Sequence, residues 1–199
     1  QHIYIENSDI HGADDNAIDF VAVQYGHVLG NRIHGAQDWC AYAKGGSAYI
    51  TLANNEVFVR GTGGITAGQG TGFEFMTAPW LNYEAYGITI THNVIHDTDG
   101  AGLGVGGGYN ILLNENILYR VGSRSHLIEF VRGGRGCDGD AATCAEHHAL
   151  GGWGSTQPEG AFIPNRHVYF LNNVIYNPTG FVSGWQHFQV DGPATTPSS

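Results

Sequence analysis

The sequence contains little charge, and almost none of it is lysine. Asp, Glu, Lys and Arg make up 13% of the 199 residues, and Lys44 is the single lysine. Disordered chains are richer in charge and poorer in aromatic residues, which reach 12% here. No apolar run approaches the roughly 18 residues that a membrane-spanning helix requires. The composition therefore indicates a folded chain with no membrane span.

Positive charge is the scarcer of the two signs. Eight Lys and Arg residues stand against 18 Asp and Glu residues, which gives a formal net charge of −10. Binding to duplex nucleic acid needs a basic patch, so we expect no nucleic-acid partner. An acidic surface also repels a polyanionic sugar at long range unless a cation intervenes. Zinc-binding, P-loop and G-x-S-x-G motifs are absent as well.

Glycine is abundant, at 31 of 199 residues. This is more than twice the usual share of roughly 7%. The glycines follow no G-x-y period, which excludes collagen. They alternate with segments rich in Val, Ile, Phe and Tyr, the residues that favour strands. The sequence therefore indicates a turn-rich, all-β protein.

One short pattern recurs along the chain: alternating apolar residues, then Asn, then an apolar and an aromatic residue. Its anchor positions are 8, 31, 55, 93, 116 and 173, with Ser at the first and Asn at the others. The spacings are 23, 24, 38, 23 and 57 residues. A period of 23 to 24 residues with strand-like alternation predicts a solenoid, and the simplest form is a parallel β-helix of about six coils.

The anchor positions predict two ladders. Asn suits a left-handed backbone conformation at a turn, and its amide can bond to the Asn of the next coil. Three residues further on lies a column that should stack ring on ring, formed by His11, His34, Phe58, His96, Tyr119 and Tyr176. We interpret these histidines as packing residues rather than metal ligands.

We predict one β-helix domain over residues 1–192 and a tail or linker over 193–199. Two insertions, at about 71–85 and 132–165, lengthen the third and fifth coils. Between them, coil four carries the glycine-rich segment 101–108. We expect two loop walls with a floor free of side chains between them, although the glycines also suit a plain turn. Long loops on a rigid solenoid commonly carry function.

Counting from the anchors places Lys44 and Glu129 in one outward column, on either side of glycines. Such a column suits an extended ligand, and a polysaccharide is the partner that we expect. Aromatic residues of the insertions could stack on sugars or pack beneath the loops. The predicted substrate-binding residues are Tyr42, Thr66, Gln69, Trp80, Arg124, Arg135 and Trp153.

Lys44 lies between small residues and could act as a proton-abstracting base if its pKa were lowered. A solvating surface lysine is the simpler alternative. The segment 124–140 is rich in charged residues that suit carboxylate chemistry, or that could form an internal Arg–carboxylate lattice. The predicted catalytic residues are Lys44, Glu84, His126, Glu129 and Arg132.

Calcium is the one cofactor that the sequence raises. Asp138 and Asp140 could offer oxygen ligands, and so could residues 14–19, which contain three aspartates and one asparagine. Neither segment has the spacing of an EF-hand loop. Both predictions therefore depend on the three-dimensional arrangement of the oxygen atoms.

Cys137 and Cys144 bracket a short loop and predict a disulfide, while Cys40 lies in an apolar segment and predicts a buried thiol. A disulfide suits a secreted, extracellular or periplasmic protein. The sequence starts within a strand-like segment and contains no leader peptide. We expect it to be part of a longer chain, in which the first coil is covered by a cap or a stacking partner.

The repeat resembles the right-handed parallel β-helix superfamily that includes pectate lyases. Residues 44–47 (KGGS), 63–72 (GGITAGQGTG) and 83–85 (YEA) are similar to secreted β-helix proteins related to the alginate and chondroitin lyase family. The resemblance implies Lys44 as the base, an Arg partner one coil later, and often Ca²⁺. The corresponding segment, 66–69, contains no Arg, and Arg60 lies earlier in that coil.

Three functions fit these observations. The resemblance favours β-elimination of an acidic polysaccharide. A glycoside hydrolase on the same scaffold would need two facing carboxylates, for which Glu84, Glu129, Asp138 and Asp140 are candidates. A non-catalytic module that binds glycan or forms part of a surface structure is the third.

Overall fold

Each repeat folds as one coil of three short strands. The structure, a computed structural model, describes residues 2–58, 63–153 and 161–192. Along the chain, a strand of sheet A is followed by one of sheet B and one of sheet C, and the next coil then returns to sheet A. Each of these sheets contains one strand from each of six coils, paired in parallel. The predicted parallel β-helix is confirmed.

The strands are short, as expected for a coil of 23 residues. Sheet A contains β1 (Ile3–Glu6), β4 (Gly26–Leu29), β8 (Thr51–Ala53), β13 (Thr89–Thr91), β16 (Gly108–Asn114) and β21 (Arg166–Leu171), together with β7 (Ser47–Ala48) and β12 (Ala85–Tyr86). Sheet B contains β2 (Asp9–His11), β5 (Arg32–His34), β9 (Glu56–Phe58), β14 (Val94–His96), β17 (Ile117–Tyr119) and β22 (Val174–Tyr176). Sheet C contains β3 (Ile18–Val21), β6 (Trp39–Lys44), β10 (Gly63–Ala67), β15 (Leu103–Gly106), β18 (Ile128–Val131) and β23 (Phe188–Val190).

The insertions add a fourth, small sheet and the one α-helix among the described residues. Sheet D contains β11 (Gly70–Gly72), β19 (Gly133–Gly136) and β20 (Ala161–Ile163). The α-helix is α1 (Ala141–His148), and a 3₁₀ turn spans Phe73–Phe75. No helix in the described part of the chain is long and apolar enough to cross a membrane.

The core is a column of aliphatic side chains that point inward from all three sheets. Val28, Ile33, Ile65, Leu103 and Leu118 are completely buried members. Because strand residues alternate between the two faces, their neighbours point outward. Each coil thus buries its apolar face against the next coil, which is why a short period is sufficient to form a core.

The asparagine ladder is confirmed. The backbone N–H and side-chain Nδ2 of Asn31 both donate to Oδ1 of Asn55, at 2.9 and 3.1 Å. Asn55 donates in the same way to Asn93, Asn93 to Asn116, and Asn116 to Asn173. Four of the five asparagines are buried. The ladder satisfies backbone groups that the turn would otherwise bury without a partner.

The expected left-handed conformation lies one residue before the ladder position. Positive φ angles of 51° to 65° occur at Asn7, Gly30, Asn54, His92, Glu115 and Asn172. Assigning this conformation to the ladder asparagines was therefore wrong. The preceding residue makes the left-handed turn, and the ladder side chain can then point along the stack.

The predicted ring column stacks over much of its length. The ring centroids of His11 and His34, His34 and Phe58, and Phe58 and His96 lie 4.6 to 5.0 Å apart. Tyr119 also stacks on the final aromatic residue of the column. These distances match the roughly 4.8 Å strand spacing. The histidines therefore pack as rings, as predicted.

The cysteine predictions are also confirmed. Cys137 and Cys144 form a disulfide, with their Cα atoms 5.9 Å apart. Cys40 is a free thiol in the core. Burial raises the pKa of Cys40 to about 12.

Candidate active face on sheet C

The outer face of sheet C carries two rows of residues that cross all six coils. Strand pairing places Asp19, Tyr42, Thr66, Gly104, Glu129 and Gln189 in the first row. The second row contains Val21, Lys44, Gly68, Gly106, Val131 and Asp191. Neighbouring members lie one strand spacing apart, about 4.8 Å.

The prediction that Glu129 shares the row of Lys44 is wrong. Glu129 pairs with Gly104, in the row of Tyr42. From anchor to first row, the chain runs 11 residues in coils one to four, but 13 in coil five and 16 in coil six. The turns between sheets B and C are therefore longer in the last two coils, and a fixed count from the anchor misplaces their outward residues.

Lys44 belongs to a small cluster at one end of this face. Its Nζ atom lies 4.6 Å from the ring centroid of Tyr42, and the Tyr42 hydroxyl donates to Oδ2 of Asp19 at 2.8 Å. Burial and the bond to Asp19 raise the pKa of Tyr42, so its phenol keeps its proton. Burial also raises the pKa of Asp19, despite that bond. A cation, a phenol and a carboxylate thus lie side by side on neighbouring strands.

Beside this cluster, a tryptophan covers much of the first row. The indole of Trp39 lies against Gly63 and Gly104, where a Cβ atom would collide with it. Trp39 and Tyr42 are buried together with Ala101. Thr66 is buried as well. Of the predicted substrate-binding residues in this row, neither Tyr42 nor Thr66 exposes much surface.

The predicted open floor between two walls is wrong. Strand β11 of the first insertion pairs in parallel with β19 of the second, so the insertions meet above coil four. Gly106 lies against the backbone of Gln69, and Gly107 lies against Gly133 and Ile163. The glycines of coil four are required because other chain segments pass directly over them.

A buried ion pair lies beneath the paired strands β11 and β19. The Arg135 guanidinium contacts the Glu84 carboxylate, and both side chains are completely inaccessible to solvent. Oε2 of Glu84 also accepts from the Gly45 N–H at 3.0 Å and from the Thr71 hydroxyl at 2.5 Å. Burial lowers the pKa of Arg135 to about 9, which leaves it protonated at neutral pH. This burial does not fit the predicted roles of Glu84 in catalysis and Arg135 in substrate binding.

The other predicted catalytic residues lie far from Lys44. Glu129 is three coils away, or about 14 Å at the usual strand spacing, and it accepts from the Ser125 hydroxyl at 2.7 Å. His126 is buried, and its Nδ1 lies 3.0 Å from the Gln186 carbonyl. Arg132 donates to the Gly192 carbonyl at 3.1 Å. The structure therefore does not bring the five predicted catalytic residues together.

The insertion aromatics form a cluster beside sheet A. Trp80, Tyr83 and Trp153 are half-buried. Trp80 meets Tyr86 edge to face, as Tyr83 meets both Tyr86 and Trp153. These rings therefore pack against one another. Arg124, by contrast, exposes 83% of its side chain and makes a long ion pair with Asp99 at 3.9 Å.

The calcium prediction lacks a matching oxygen cluster. Both carboxylate oxygens of Asp140 accept from Thr143, at 3.0 and 2.7 Å, as the N-cap of α1. Asp138 lies beside Glu74, and its N–H donates to that carboxylate at 2.6 Å. Within the described residues, the one group of three candidate ligands is Glu74 with the two disulfide cysteines. Calcium binding at Asp138 and Asp140, or at residues 14–19, therefore stays a prediction.

Two residues of this face were missed as site residues. We expected Asp19 only as a calcium ligand. Asp19 and Tyr42 each lie 11 residues after the anchor of their coil, so the sequence also places them in one column. The sequence gives no signal for Trp39, because a tryptophan at the start of a strand is equally typical of the core. The glycines that accommodate Trp39 lie 24 and 65 residues further along the chain.

Three comparisons relate the chain to known proteins. None of the curated proteins matches the sequence. Among solved structures, the chain is similar to the A-module of the mannuronan C-5 epimerase AlgE4 from Azotobacter vinelandii, with 15% identity and a TM-score of 0.43. All of this chain aligns, and it spans 59% of that chain. A family model described as "Right handed beta helix region" matches residues 1–138. The chain therefore belongs to the right-handed β-helix family.

Proposed function

We propose that the protein cleaves an acidic polysaccharide by β-elimination on the outer face of sheet C, with Lys44 as the base. The observation that carries this proposal is the cluster of Lys44, Tyr42 and Asp19. Lys44 is the only cation in the two outward rows of this face. It can attract a uronate and, once neutral, accept a proton.

The reaction needs few functional groups from the protein. The neutral amine of Lys44 takes the proton from the carbon next to the uronate carboxylate. The electron pair left behind forms a C=C bond, the bond from the ring to the glycosidic oxygen breaks, and that oxygen takes a proton from water. The Tyr42 ring positions Lys44 in its resting ammonium form, and Asp19 fixes the phenol. The ammonium must lose its proton before the amine acts as the base.

The spacing of Asp19 and Glu129 disfavours these two as the carboxylate pair of a hydrolase on this face. Asp19 and Glu129 share the first row but lie four strand spacings apart, or about 19 Å. A pair of catalytic carboxylates needs a separation of about 5 to 9.5 Å. Glu84 is buried against Arg135, and Asp140 caps a helix.

A non-catalytic glycan-binding module is the second candidate. The observation that favours it is the scatter of the predicted catalytic residues over four coils. In that case Lys44 would hold a carboxylate by charge alone. The disulfide supports placing either function outside the reducing cytosol, in a secreted, extracellular or periplasmic protein.

The test is a screen of alginate, pectate, chondroitin and neutral glycans, followed by the ultraviolet absorbance of the unsaturated product. We expect absorbance to rise with one acidic polymer and to be lost in Lys44→Ala. Arg32→Ala, which removes an exposed cation on sheet B, is the matched control. A repeat with a chelator tests for Ca²⁺. If no polymer gives a signal, elimination is refuted, and affinity electrophoresis in the same polymers then tests binding.

A further inference from the structure

We infer that Glu84 and Arg135 form a positioning pair that holds the turn after Lys44 in one conformation. The effect of this pair on catalysis rests on the proposed function of Lys44. Its effect on the structure of the turn does not. Glu84 packs against Gly68 of the second row, but neither Glu84 nor Arg135 exposes its side chain to solvent, so both act through the backbone that carries Lys44.

Within the turn, one side-chain bond restrains the backbone, from the Ser47 hydroxyl to the Lys44 carbonyl at 2.7 Å. Lys44 is followed by Gly45 and Gly46, which adopt positive φ angles of 65° and 79°. Glycine is the residue with the greatest backbone freedom, so two in succession need external restraint to hold one geometry. Any movement here would shift the Lys44 amine relative to Tyr42.

Glu84 supplies that restraint at two points. Its carboxylate accepts from the Gly45 N–H at 3.0 Å, and its backbone carbonyl accepts from the Gly46 N–H at 2.9 Å. The Glu84 N–H donates to the Gly107 carbonyl at 2.8 Å, which ties the residue to coil four. One residue thus joins the Lys44 turn to the next stretch of the solenoid.

Arg135 makes this arrangement tenable. A buried carboxylate without a counter-charge is strongly destabilising, and Arg135 supplies the charge from the second insertion. Arg135 follows Lys44 by 91 residues. The disulfide begins two residues after Arg135, at Cys137. The orientation of Lys44 therefore depends on the second insertion being correctly folded.

The decisive comparison is between two double variants, E84L/R135M and E84Q/R135M. Both remove the buried charges together, which can leave stability unchanged. They differ in the acceptor at position 84, because Gln keeps an acceptor for the Gly45 N–H and the Thr71 hydroxyl and Leu does not. The control is E56Q/R32M, which removes an exposed pair of the same residue types with a 3.2 Å contact on sheet B.

We expect E84L/R135M to reduce kcat about tenfold or more with little change in KM, because displacement of the base affects only the transition state. E84Q/R135M should recover most of the rate, and the control should match the wild type. Equal rates in the two Glu84 variants would overturn the positioning role. If the leucine variant does not fold, Glu84→Asp, which shortens the reach of the carboxylate, takes its place in the comparison.

The single lysine allows a readout that needs no activity. Reductive methylation with ¹³C-formaldehyde gives one dimethyl-lysine signal, together with that of the amino terminus. We expect this Lys44 signal to move in E84L/R135M and to stay at its wild-type position in E84Q/R135M and in the control. An unmoved signal in a folded E84L/R135M would refute the inference. An inactive wild type with a moved signal would refute the proposed reaction alone.

Discussion

Removing one asparagine from the ladder should cost a large part of the stability of the fold. In Asn55→Ala four buried hydrogen bonds are lost. Oδ1 accepts from the N–H and Nδ2 of Asn31, at 2.9 and 3.1 Å, and Nδ2 donates to the Val28 carbonyl and to Asn93, both at 2.9 Å. At a net value of about 1 kcal/mol for each bond, the loss is about 4 kcal/mol. Stabilities of whole domains are about 5 to 15 kcal/mol.

The assay is thermal and urea unfolding followed by circular dichroism. A loss of about 4 kcal/mol should lower Tm by about 8 to 16 °C in a chain of this size. Ser8→Ala is the matched control, because Ser8 holds the ladder position of coil one but is exposed and bonds only to the Glu6 carbonyl through its hydroxyl. We expect that control to stay within about 0.5 kcal/mol of the wild type. An Asn55→Ala loss no greater than the Ser8→Ala loss would refute the ladder as a source of stability.

Three further predictions concern single positions. Gly46→Ala and Gly12→Ala both place a side chain at φ 79°, but of the two only the Cβ at Gly46 would collide, with the Trp80 backbone. Gly12→Ala should therefore lower the free energy of unfolding by about 1 to 2 kcal/mol. Gly46→Ala should lower it clearly more, as measured by urea unfolding. A thiol reagent at about pH 8 should label no cysteine in the folded protein and one, Cys40, after unfolding. Labelling of Cys40 in the folded protein would contradict its burial. The Arg120 guanidinium holds the pKa of the Asp97 carboxyl below its ordinary value, so this pair stabilises the fold above about pH 4 and its contribution disappears as the pH falls through the lowered pKa. Asp97→Asn should accordingly lower Tm more near pH 7 than in acid below the lowered pKa, and an equal loss under both conditions would contradict this assignment.

The repeat explains why much of the fold could be predicted from the sequence. A coil that contacts only its neighbours must repeat its inward and outward residues at a fixed period. The Asn anchors expose that period, and the ring column three residues later follows the same rule. Local spacing alone was also sufficient for the disulfide, because its cysteines lie seven residues apart.

The parts that could not be predicted are those without a period. Glu129 was misplaced because the turn before β18 is two residues longer than the corresponding turns of coils one to four. The apolar pattern of the strands does not indicate the length of the turn between them. The pairing of β11 with β19 joins segments about 60 residues apart and has no counterpart in the other coils. For the same reason, Glu84 and Arg135 looked like surface candidates although they meet in the interior.

The pairing of β11 with β19 also affects the order in which the coils of the solenoid should unfold. In a simple linear array each coil can open after its neighbour has opened, so unfolding proceeds inward from both ends. Here coils three and five are connected directly over coil four. These three coils should form one cooperative block, to which Glu84 and the pairing of β7 with β12 also connect coil two, and coils one and six are free to fray. Amide hydrogen exchange should therefore show a protected centre with sharp boundaries rather than a smooth gradient along the axis.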